Sequence, residues 1–186
     1  EINERYGAKE FLVLTYSPKD KMISENSIKN LLELKSELQN LSWVHNVITL
    51  LDIPLLNATN DSLVDRIQNF KTLKSENVDK ERGFDEILNS PVFRNFVISE
   101  DGKTSGIIVY IKPNSEEIQN KAGKDLEIFK DKIKRERHQN ILEIREVIEK
   151  YNQNNEIYLG GIPMIADDMM TFIKNDIVIF GIGVLA

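Results

Sequence analysis

Phe11-Leu12-Val13-Leu14-Thr15-Tyr16, closed by Ser17-Pro18, is an almost wholly apolar run of strand length. A short run of this kind bounded by a turn pair reads as a buried strand. Downstream, Ser24 is placed to cap a helix, with Glu25 favourable against the helix dipole. Ile28, Leu31, Leu32, Leu38 and Leu41 then recur at helical spacing through about residue 42, which predicts one apolar stripe. Trp43 to Leu51 returns to strand character through Val44, Val47 and Ile48, before the breaker Asp52-Ile53-Pro54. Strand, helix and strand make a β-α-β unit, and the rest of the chain is read around it.

Residues 55-94 fit no sheet pattern. Leu63, Val64, Ile67 and Phe70 predict one helix, and Phe84, Ile87 and Leu88 a second that Asn89-Ser90-Pro91 ends. The stretch is expected to be a helical insertion. Asn95 to Ser99 and Thr104 to Lys112 are expected as strands joined through Asp101-Gly102, a hairpin signal. A long helical pattern follows, with Leu126, Phe129, Ile133, Ile141, Ile144, Ile148 and Tyr151 on one face. Its centre, Lys134 to Asn140, is polar, so the helix either projects past the sheet or breaks there. Glu156 to Leu159 supplies a last strand, ended by Gly160-Gly161-Ile162-Pro163, and a final helix is expected from near Asp167. The order β-α-β, insert, β-β-α-β predicts a ferredoxin-like α+β sandwich with helices on one sheet face.

Composition narrows the function. The 186 residues suffice for one large domain or two small ones, and a net charge of -6 argues against nucleic acid as a partner. Cysteine is absent, which removes thiol catalysis and thiolate metal sites. No G-x-S-x-G, P-loop or dinucleotide fingerprint is present, so no cofactor is expected. The two histidines, His45 and His138, are far apart in sequence and carry no metal-ligand spacing. Gly160-Gly161 reads as a tight turn rather than a phosphate cradle. Asp167-Asp168 reads as a cap and dipole partner for the final helix, because successive helix residues diverge by about 100° and would not converge on one ion. Met164, Met169 and Met170 group with Ile165, Phe172 and Ile173 as core and rim of the domain. The mixed charges from Lys121 to Lys150 read as a solvated helix face.

The end of the chain runs Ile177-Val-Ile-Phe-Gly-Ile-Gly-Val-Leu-Ala186 without a charge. That is about half of the roughly 20 apolar residues a spanning helix needs. Gly181 and Gly183 suit a membrane helix better than a strand or a soluble helix. Lys174 and Asp176 would mark the boundary between water and lipid. Glu1 to Lys9 show no signal-peptide pattern, so the opening reads as a boundary inside a longer chain.

Four segments carry a likeness in order. They are Tyr6-Gly-Ala-Lys-Glu-Phe11, Leu51-Asp-Ile-Pro-Leu-Leu56, Leu88 to Asn95 with Val97 to Thr104, and Gly160 to Asp168. Together they resemble the first periplasmic loop of exporters of the resistance-nodulation-division superfamily, including relatives of the MMPL-type lipid exporters. The resemblance implies that residues 1-166 form an extracytoplasmic porter domain and that 167-186 begin a truncated transmembrane helix. It makes Asp52, Pro54, Ser90, Pro91, Asp101, Gly102, Gly160, Gly161, Pro163, Asp167 and Asp168 structural positions of the family pattern. It further implies a bacterial inner-membrane transporter, driven by protons, that passes on hydrophobic or amphiphilic lipid-like or drug-like cargo. The module would do no chemistry of its own. Its partners would be that cargo, the membrane, and the rest of the transporter including a second similar loop; oligomeric state, a homo-oligomer included, stays open. The cargo is expected in an apolar cleft between the insertion and the sheet. The alternative is a ligand-sensing or interaction domain tethered by one membrane helix. A hydrolase resting on the Asp167-Asp168 pair is the third class.

Overall fold

A computed structural model of the chain describes residues 10-56, 70-113, 123-162, 164-165, 167-173 and 176. Outside them lie the helix expected over Leu63, Val64 and Ile67, the opening segment from Tyr6, Pro163, Lys174, and the apolar run from Ile177.

Four strands form one sheet: β1 (Phe11–Pro18), β2 (Val44–Ile48), β3 (Ser105–Ile111) and β4 (Asn155–Gly160). Their spatial order is β2-β3-β1-β4, and every neighbouring pair is antiparallel. Helix α1 (Glu25–Gln39) connects β1 to β2, and α3 (Gly123–Tyr151) precedes β4; the short α2 (Lys80–Leu88) lies in the insertion. The arrangement is the α+β, ferredoxin-like sandwich that the element order predicts.

Local chemistry accounts for the elements. In β1, Leu12, Leu14 and Tyr16 are fully buried beneath the helices, as alternation along a strand requires. The Tyr16 hydroxyl donates to the Ser27 carbonyl at 2.9 Å, and burial pushes its phenol up to about 12. Ser24 caps α1 by accepting from the Ser27 amide, and Ile28, Leu31, Leu34 and Leu38 face inward. Leu32, expected in that stripe, lies at its border and is exposed. It is turned about 100° from Leu31, and Leu34 takes the inner place.

The strand expected over Trp43 to Leu51 is shorter. It ends at Ile48, where Thr49 and Asp52 form a reciprocal capping box around a turn of 3-10 helix, Leu50–Asp52, that buries Leu50 and Leu51. The strand expected over Asn95 to Ser99 does not join the sheet. It meets β3 at one bridge, Ile98 to Ser105, with Ser99 donating to the Thr104 carbonyl at 2.9 Å and Gly106 to the Val97 carbonyl at 2.8 Å. β2 covers that side of β3 only from Ile108 to Ile111, so the edge at Ser105 and Gly106 is open. The segment instead turns at Asn95, with φ +66° and its amide donating to the Ile98 carbonyl, which leaves no extended run to pair further. Leu55, Leu73 and Ile87 send the insertion's apolar side chains into the common core, and Ile98 follows from the segment after it.

The long helix does not break. α3 runs 29 residues through the polar centre, about 43 Å at helical rise. The eight residues of β1 span only about 26 Å, so part of α3 must pass beyond the sheet. Tyr151 lies four positions before the start of β4, which aligns the helix's C-terminal end with the sheet and leaves the excess at the N-terminal end. Accordingly, Ile141, Ile144, Val147 and Ile148 enter the main core, whereas Phe129 and Ile133 are buried outside it.

Candidate functional site

The expected positions fall into two groups, structural joints and the end where the chain enters and leaves the sheet. Asp52 is a joint. Its carboxylate meets Lys35 of α1 at 2.6 Å and Lys74 of the insertion at 2.7 Å. Burial works to raise this carboxyl, but hydrogen bonds from Lys35, Lys74 and Thr49 outweigh burial and lower it to about 2. Pro54 follows the 3-10 turn at the surface, just before Leu55 bridges to Lys71. Ser90 accepts from the Val92 amide at 3.3 Å and starts a tight turn through the exposed Pro91. Asp101 accepts from the Ser99 hydroxyl at 2.7 Å and the Lys103 amide at 3.1 Å, closing its turn. Gly102 has φ +69°, and a Cβ there would stand 3.2 Å from the Phe84 ring.

At the other end, Gly160 closes β4 opposite Val13. Gly161 follows with φ +119°, where a Cβ would meet the Leu12 Cα and the Phe11 carbonyl at 3.4 Å. Helical structure begins at 162, so the cap role expected of Asp167 and Asp168 is corrected. Both lie past the first turn and pair with α3. His138 Nδ1 meets Asp167 at 2.8 Å, and Arg145 donates to Asp168 at 2.7 Å. His138 therefore has a partner that sequence spacing does not reveal, because the two residues are 29 apart. Arg137 adds an ion pair with Glu10, just ahead of β1. The middle of α3 thus holds both the segment entering β1 and the segment leaving β4. His45 sits exposed on β2. The outer edge of β2 is closed by Gln39, whose amide accepts from the Val47 N–H and donates to the His45 carbonyl. A side chain occupies the place of a neighbouring strand.

The surface with the clearest functional character is the sheet face opposite the helices. Register places Phe11, Val13 and Thr15 of β1 beside Tyr110, Ile108 and Gly106 of β3. Ile48 of β2 opposes Ile108, and Tyr158 of β4 opposes Thr15. Among the described residues no helix covers this face. Phe11 remains 47% exposed and Tyr158 66%, and the Phe11 and Tyr110 rings sit 6.2 Å apart at a tilt. The strand read as buried is buried on one side only. An antiparallel sheet with a solvated face normally carries polar residues there, so an apolar, aromatic open face marks an interaction surface. The apolar character of β1 at both parities is the sequence signal for it.

Two further surfaces adjoin the domain. The helical residues after β4 expose Ile162, Ile165, Met169, Met170, Phe172 and Ile173, whereas Met164 packs against the core, so the methionine group is divided between core and rim. A cleft of about 340 Å³ lies between α1 and the insertion, lined by Ile28, Leu32, Leu73, Lys74, Val78 and Lys80 among others. It opens on the helix side of the sheet. Among the described residues no cluster of three or more His, Asp or Glu could hold a metal ion, and no helix is long and apolar enough to cross a membrane. No protein-family model matches this sequence, and no curated protein is significantly similar to it.

Proposed function

We propose that this chain is the extracytoplasmic porter domain of a proton-driven exporter of the resistance-nodulation-division type, holding hydrophobic or amphiphilic cargo without covalent chemistry. The observation that carries the reading is the open sheet face, on which Phe11, Val13, Ile48, Ile108, Tyr110 and Tyr158 present apolar surface on a rigid scaffold. Such a face accepts an apolar chain by area alone, at about 25 cal/mol per Å² removed from water. The exposed apolar residues after β4 support attachment to a membrane at the adjoining end. Transport then requires movement of packed units, because access to the face must alternate.

The test is titration of the full chain with dodecyl maltoside below its micellar concentration, followed by NMR. The Phe11, Tyr110 and Tyr158 ring signals are expected to move, and Tyr158→Glu to weaken binding several-fold. An open face that responds to no apolar-tailed ligand removes the cargo reading. The flanking coding sequence separates exporter from tethered sensor: several spans and a second similar loop on one side, a single anchor and a signalling domain on the other.

A further inference from the structure

We infer that His138 and Asp167 form a pH-dependent clasp, closed by protonation of the imidazole, that holds the helical segment after β4 against α3. The inference does not rest on the exporter reading, because it concerns how this segment is fastened and not what the domain carries.

The segment leaves the sheet through a glycine joint. Gly160 ends β4, and Gly161 has φ +119°, a conformation that other residues adopt only under strain. The Ile165 amide then donates to the Gly161 carbonyl at 3.1 Å, and Met164 packs against the core. Beyond that point two side-chain contacts tie the segment to α3. Arg145 donates to Asp168 at 2.7 Å, and His138 Nδ1 lies 2.8 Å and 3.1 Å from the two oxygens of Asp167. His138 and Arg145 stand about two turns apart along one face of α3, so successive carboxylates of the segment reach both turns.

The two contacts respond differently to acid. Between about pH 5 and 8 an imidazole changes charge, whereas guanidinium and carboxylate side chains stay ionised. The Arg145 contact is therefore an ion pair throughout. The His138 contact is an ion pair on the acid side and falls to a single hydrogen bond from an uncharged ring as pH rises. Asp167 makes the difference count. Its side chain is only 12% exposed, against 48% for His138, so little water can replace a weakened partner. The neighbouring charges are matched elsewhere: Glu10, ahead of β1, takes Arg137, Asp131 takes Lys134, and Asp168 takes Arg145. Arg135, about one turn before His138, repels an imidazolium, which leaves Asp167 as the group that favours closing. The segment so held carries the exposed Ile165, Met169, Met170, Phe172 and Ile173, and the clasp governs how firmly this apolar surface is fixed beside the domain.

The experiment is amide hydrogen exchange of the full chain, read by mass spectrometry near the two ends of the imidazole range and corrected for the intrinsic pH dependence of exchange. Protection of the peptide covering residues 164-173 is expected to be roughly two- to fivefold higher at the acid end, the size of a part-exposed ion pair. His138→Gln should remove the difference, and Asp167→Asn should remove it too. His45→Gln, on the exposed side of β2, should keep it. Exchange in β1 reports in each variant that the sheet is intact. Equal protection at both ends in the unaltered chain overturns the proposal. So does a difference that survives His138→Gln or Asp167→Asn, or one that disappears with His45→Gln. The dodecyl maltoside titration decides the cargo reading separately, whichever way the clasp is settled.

Discussion

The two faces of the single sheet are built from the same strands and have opposite fates. Leu12, Leu14, Tyr16, Ile107, Val109 and Ile157 point into the helical layer and are buried. Phe11, Val13, Ile108, Tyr110 and Tyr158 point the other way and stay partly or largely open. Both sets are apolar, so hydrophobicity does not distinguish them; the presence of α1 and α3 on one side does. The covered face holds the fold together, and among the described residues no helix covers the other.

The comparison can be broken at several points. Leu14→Ala should have the largest effect, a loss of about 3 kcal/mol in urea unfolding, from lost transfer energy and the cavity left behind. An effect below that of Val13→Ala, its neighbour on the open face, would show that the faces are misassigned.

Asp52 tests how firmly the insertion is tied into the covered layer. Its folded carboxyl lies at about 2, below its ordinary value of 3.8. A depressed folded value gives stability that is present above pH 3.8 and lost as pH falls through about 2. Asp52→Asn should therefore cost about 2 kcal/mol at neutral pH and flatten the acid limb of an unfolding profile between those values. An unchanged acid limb would mean that the Lys35 and Lys74 contacts contribute nothing.

On the open face, Val13→Ala should cost about 1 kcal/mol, as expected for a half-covered side chain. Tyr158→Ser should shift stability by no more than about 0.5 kcal/mol while reducing dodecyl maltoside affinity. A large stability loss at Tyr158 would mean that the face is structural and not a docking surface.

How much was legible depends on the range of the interaction. The Ser24 cap, the Asn89-Ser90-Pro91 stop and the Asp101-Gly102 turn are local devices, and each works in the fold as its residues predict. The strand over Asn95 to Ser99 shrinks to a single bridge, Ile98 to Ser105, because the chain turns at Asn95, φ +66°, with its amide donating to the Ile98 carbonyl. Asp167 and Asp168 were read by the same local rule that worked for Ser24. They instead pair with His138 and Arg145, contacts that exist only because β4 returns along α3. Gln39 closing the β2 edge was likewise invisible, since a glutamine in a helix has no spacing that announces a strand as its partner.

The sequence by itself determined the four strands of the sheet and the helices α1, α2 and α3 in their order, and the absence of thiol chemistry, because periodicity, caps and composition act within a few turns of chain; that α3 runs unbroken through its polar centre was left to the structure. Tertiary structure alone decided which face of the sheet stays uncovered, which end of α3 outruns it, and which α3 side chains meet the carboxylates after β4. Those outcomes depend on strand pairing and on the relative lengths of helix and sheet, quantities that no local window contains.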